Sequence, residues 1–79
     1  MNVDHLFEMA NQIGLFFESL PDRDEALTGI AEHIRRFWEP RMRRTLLAAL
    51  DSGAAEAGLS AIVLAALTKY RESLTPVAA

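Results

Sequence analysis

The sequence has no cysteine. No disulfide can staple the fold, and no thiolate can hold a metal. Long apolar runs are missing too. The longest, residues 61–67, is seven residues, against the ~20 that a membrane-spanning helix needs. The opening Met1, Asn2, Val3, Asp4 has neither the basic stretch nor the apolar run of an export signal. The expected location is therefore the cytoplasm, with no membrane as partner. No β-type alternation, internal repeat or low-complexity tract is present. Glycine is scarce, and Gly53 and Gly58 bracket a stretch without the lysine of a phosphate-binding loop.

Apolar side chains are what the sequence has in surplus. A chain of 79 residues makes one domain at most, and a domain of that size buries only ~60% of the surface its unfolded form exposes. Hydrophobic residues are 51% of the total, more than one thin core hides. The remainder is expected to be exposed, or covered by another protein or by a second copy of the chain. The net charge of −3 is unevenly spread. Residues 1–32 hold seven acids against one arginine, while residues 33–44 hold five arginines against one glutamate. A local basic block on an acidic protein argues against nucleic acid as partner, since nucleic-acid binding usually shows in the charge of the whole domain.

The spacing predicts an all-α fold, a bundle of about four short helices in one domain over residues 1–79, with 1–3 and 75–79 frayed. The first helix spans about 4–19: Phe7, Ala10, Ile13, Phe17 and Leu20 recur at three- and four-residue intervals, widened by Leu6, Met9 and Phe16. Glu8, Asn11, Gln12, Glu18 and Ser19 fall on the other face, with Leu15 stranded among them. Pro21 ends this helix by pushing Leu20 out of the α region. Asp22 or Asp24 opens the second, with Glu25 three residues beyond Asp22 as in a capping box. Ala26, Leu27, Ile30, Ala31, Ile34, Phe37 and Trp38 make its apolar side, and His33 lies at the margin. Trp38 and Glu39 form a corner, and Pro40 starts the third helix, where its missing N–H costs nothing. Gly53 suits a left-handed cap, and residues 52–58 read as a flexible linker. Ser60 then caps a fourth helix over 61–74, with Leu59 and Leu64 placed as a hydrophobic staple. The first half of that helix is apolar nearly all round, so it must be buried on more than one side, and another protein is the expected source of the second side.

Catalytic groupings do not assemble. His5, with Asp4 and Glu8 nearby, has no metal-ligand spacing. Ser19, Ser52, Ser60 and Ser73 sit at caps, turns and helix ends, where serine bonds locally. Asp22, Asp24 and Glu25 are explained by a helix N-terminus. The one dense feature is the run of Arg35, Arg36, Arg41, Arg43 and Arg44 around Phe37 and Trp38. Three readings compete for it: a solvated face whose arginine stems cover apolar surface, a protein-binding patch, or a site for nucleic acid or an anionic cofactor, which would make the chain a helical nucleic-acid-binding or regulatory module. For the protein-binding reading, the candidate interface is Leu15, His33, Arg36, Trp38, Pro40, Arg41, Arg43 and Arg44. No residue is a candidate for catalysis, cofactor binding or metal ligation.

The wording of the chain carries a resemblance. MANQIGLFF at 9–17, Pro21-Asp22, IAEHIRRFWEPRMR at 30–43, Leu46-Leu47 through Asp51, and Gly58-Leu59-Ser60 together resemble the delta subunit of the soluble, cytoplasmic NAD-dependent formate dehydrogenases. FWEPRMR at 37–43 is the most specific part. The chain departs from the family's usual pattern at Ala61, often proline, and near Ala49, often histidine. The resemblance implies a non-catalytic accessory subunit that supports assembly or stability of a large complex. It implies as partners an alpha subunit with a molybdenum pterin cofactor and iron–sulfur clusters, a beta subunit binding FMN and NAD, and an iron–sulfur gamma subunit. No cofactor is expected on this chain, in keeping with its lack of cysteine for iron–sulfur ligation.

Overall fold

A computed structural model describes residues 2–77, and among these every regular element is helical. The first helix, α1 (Val3–Glu18), starts one residue earlier than its periodicity suggests, because Asn2 caps it. The Asn2 Oδ1 accepts from the backbone N–H groups of Asp4 at 2.9 Å and His5 at 3.4 Å, meeting donors that a helix start leaves without partners. Val3, half-buried, packs against the core. Met1, Ala78 and Ala79, expected to fray, lie outside the described residues.

Asp22 caps α2 (Arg23–Phe37), accepting from Asp24 at 2.9 Å and Glu25 at 3.4 Å, which is the N-cap half of the capping box that the spacing predicts. Trp38 and Glu39 are extended, and Pro40 is the first residue of α3 (Pro40–Ser52). Gly53 ends α3 at φ 86, a left-handed conformation that costs a residue with a β-carbon about 1 kcal/mol or more.

Two expectations need correction beyond Gly53. The stretch 52–58 is not a flexible linker. Ser52 belongs to α3, and residues 55–58 form a single turn, α4 (Ala55–Gly58), with Ala55 fully buried. Alanine without a bulky side chain lets this turn sit directly against α1 and α3. The final helix is not continuous either. It runs as α5 (Ala61–Lys69), bends at Tyr70 (φ −109, ψ 24), and resumes as α6 (Arg71–Leu74). No proline or glycine marks the bend. It is held from outside: the Tyr70 and Thr28 hydroxyls hydrogen-bond at 2.7 Å, and the Arg71 Nη2 donates to Asp51 at 2.7 Å. The bend directs Leu74 into the core, where it is 1% exposed.

The buried side chains form one cluster drawn from all six helices plus Trp38 and Leu59. Helix α1 packs against α2, α3, α4 and α5, and α2 closes the other side with α5 and α6. Helix α5 is therefore covered by α1, α2 and α6 of this same chain, with Ile62, Val63, Ala66 and Leu67 buried. The second protein expected to cover it is not needed there.

A polar clamp holds α5 in place. The Asn11 Nδ2 donates to the Gly58 carbonyl at 2.9 Å, and its Oδ1 accepts from the Ser60 N–H at 2.9 Å. One carboxamide thus pairs with backbone on both sides of Leu59, as a neighbouring β-strand would. Ser60 stands at the N-cap of α5, but its hydroxyl makes no capping bond.

Candidate partner interface

Where the apolar surplus goes defines the candidate site. Phe16 is 72% exposed, Phe37 69%, Leu15 64% and Leu20 38%. Phe16 lies on the last turns of α1 and Phe37 is the final residue of α2. Between them stand two half-buried rings, Phe17 and His33. Phe16 and Phe17 meet edge to face at 5.0 Å between centroids. Phe17 and His33 are 6.5 Å apart at 64°, and His33 and Phe37 are 4.8 Å apart at 48°. The first two contacts are the edge-on arrangement that aromatic rings favour, and the third is tilted. The four rings make a continuous row across the seam between α1 and α2.

Two shallow hollows flank the row and share Phe17 and His33. Gln12, Ile13 and Phe16 complete one, and Gly29, Glu32, Arg36 and Phe37 complete the other, a groove along the end of α2. Gly29 is what allows the seam to be this tight. A β-carbon there would overlap the Phe17 ring, so the bare backbone of α2 serves as the floor for that ring. At the far end, the Arg36 Nε is 4.0 Å from Glu32, and both side chains are mostly exposed. Such a pair contributes about 0–1 kcal/mol, so Glu32 scarcely engages Arg36.

Of the residues proposed from sequence, His33 is in the row, Arg36 borders it, and Leu15 is exposed on α1. Pro40, Arg41 and Arg44 are exposed on the first turns of α3. Two others do not belong to an exposed interface. Trp38 is 6% exposed and part of the core: the extended corner turns its indole inward and leaves Phe37 outside. Arg43 is half-buried, and its Nη1 donates to the Leu74 carbonyl at 3.3 Å, tying α3 to the end of α6.

Sequence reading missed Phe16 and Phe37, which it assigned to apolar stripes facing the core. Spacing alone did not separate them: adjacent residues such as Leu6-Phe7 and Leu46-Leu47 are both buried, so which ring of Phe16-Phe17 or Phe37-Trp38 stays outside depends on the neighbouring helices. Asn11 was missed as well, being placed on the solvent face of α1.

Elsewhere the polar chemistry is sparse. Among the described residues, no polar or charged residue is buried, no three His, Cys, Asp or Glu side chains are grouped to hold a metal ion, and no helix is long and apolar enough to cross a membrane. Lys69 titrates above its ordinary value, because its Nζ donates to the Asp24 carboxylate at 3.2 Å and feels that charge. This pair lies on the surface at the start of α2, near Tyr70.

No curated protein and no solved structure matches the chain. Residues 5–67 match the profile of the NADH-dependent formate dehydrogenase delta subunit, FdsD. The matched span includes most of α1, all of α2 to α4, most of α5, and the whole aromatic row, leaving out α6. This chain therefore belongs to the family of NADH-dependent formate dehydrogenase delta subunits.

Proposed function

We propose that the chain is a non-catalytic accessory subunit that docks on the molybdenum-containing alpha subunit of a cytoplasmic formate dehydrogenase and supports its assembly or stability. Membership in a delta-subunit family implies a complex with other subunits. The observation that carries the docking surface is the exposed aromatic row from Phe16 to Phe37. Exposed apolar surface of this kind marks interaction sites on small soluble proteins, and aromatic anchors supply much of the affinity at interfaces. In this reading the chain holds no cofactor. Formate oxidation and NAD reduction run through the molybdenum pterin, iron–sulfur clusters and FMN of the alpha, beta and gamma subunits.

The mechanism is mass action. A subunit that binds only the folded, cofactor-loaded alpha subunit stabilises that form over its open or unfolded forms. Two measurements test it. Deleting the chain from its host should lower both formate-dependent NAD reduction and the molybdenum content of the complex. Replacing Phe16 and Phe37 together by aspartate should reproduce the deletion and abolish co-purification with the alpha subunit. Full activity and metal content after deletion would refute the accessory role.

A further inference from the structure

Resting on that docking surface, we infer that the segment of the alpha subunit seated on the groove is acidic, placing carboxylates beside an apolar anchor so that they meet Arg36 and Arg41. Three observations lead there. Arg36 borders the same groove as Phe17, His33 and Phe37, so a group lying along the rings ends beside a guanidinium. Its only ion pair among the described residues is the 4.0 Å contact with Glu32. Arg41 and Arg44 are exposed and have no ion-pair partner among the described residues. Arg41 is four residues beyond Phe37, and so within about 14 Å of it along the backbone.

These charges do little for the fold itself. Arg35 and Arg36 suit the last turn of α2. Arg41, by contrast, sits in the first turn of α3, where cations are disfavoured, and the N-cap Glu39 makes no capping bond and no ion pair with it among the described residues. The rest of the chain is acidic, so the block is also the one region that attracts negative charge rather than repelling it. A basic edge on an apolar groove selects a partner with the opposite sign beside its anchor, and it speeds encounter more than it adds affinity.

The experiment is co-purification of the whole complex from the native host, carrying the wild-type chain or a variant. The ratio of this chain to the alpha subunit is quantified at low and high salt. Arg36→Glu and Arg41→Glu alter exposed side chains, and circular dichroism of each purified chain checks that its helices are intact. The double variant should lower the retained ratio about tenfold or more, and Arg36→Lys should keep most of it. Wild-type retention should fall as salt rises from ~50 to ~500 mM. If Phe16→Asp abolishes retention but the double charge reversal and salt do not, the acidic-segment inference is overturned while the docking face stands. If neither Phe16→Asp nor charge reversal changes retention, the docking face fails and takes this inference with it. If the purified wild-type chain sediments as a dimer that charge reversal dissociates, with retention unchanged, the groove's occupant is a second copy and the inference is again overturned.

Discussion

The ring of Phe17 occupies the space that a β-carbon on Gly29 would take. This contact sets the depth of the α1–α2 seam and, through it, the spacing of the aromatic row. Glycine in a helix interior ordinarily costs ~1 kcal/mol relative to alanine. Its presence in the middle of α2 is explained by the ring it accommodates.

Gly29→Ala should therefore reverse the usual sign. Instead of gaining stability from better helix propensity, the variant should lose about 1–2 kcal/mol by overpacking against Phe17. Urea denaturation measures the change. A second substitution, Phe17→Leu, should recover part of it, because the shorter side chain can withdraw, and a double-mutant cycle reads that coupling. Independent effects that simply add would show that the contact is not what makes Gly29 necessary.

Asn11→Ala should destabilise the chain by about 1 kcal/mol or more. It removes two hydrogen bonds, one to the half-buried Gly58 carbonyl and one to the more exposed Ser60 N–H, both at 2.9 Å. Amide hydrogen exchange gives a sharper reading: protection of the Ser60 N–H should fall by more than that of helical amides in α2.

Trp38 and Phe37 are neighbours with opposite roles. Trp38→Ala opens a hole in the core and should cost ~3–5 kcal/mol, enough to unfold much of so small a chain. Phe37→Ala removes an exposed ring and should change stability by no more than ~0.5 kcal/mol, while weakening association with the alpha subunit by ~2 kcal/mol. Thermal melts and co-purification of the two variants separate these outcomes. A Trp38→Ala chain that melts like wild type would contradict the buried indole.

Gly53→Ala tests backbone strain in isolation. Apart from its own chain neighbours, no heavy atom lies within 4 Å of the position a β-carbon would take, and φ is 86. With tertiary overlap absent, the expected loss of about 1 kcal/mol comes from the local backbone clash of the left-handed conformation alone. Chemical denaturation should show a lower midpoint with an unchanged slope.

Local chemistry in the sequence was enough to place α1 to α3. Asp22, Pro40 and Gly53 each act on backbone groups within a few residues, so the boundaries near 22, 40 and 53 can be read without knowing what packs where. The all-α class follows from the same periodicity, and the wording around 30–43 carries the family resemblance that the match over residues 5–67 bears out. Periodicity predicts a stripe but not its neighbours. Whether Phe16 or Phe17, and Phe37 or Trp38, turns inward depends on space left by another helix: the bare Gly29 for Phe17 and the extended corner for Trp38. The bend at Tyr70 and the Asn11 clamp are likewise invisible locally, since Thr28 is 42 residues from Tyr70 and Ser60 is 49 residues from Asn11. Only the tertiary structure brings such partners together, and so only it decides that the exposed rings of Phe16 and Phe37 stand at the two ends of one aromatic row, near Arg36, while Trp38 is buried.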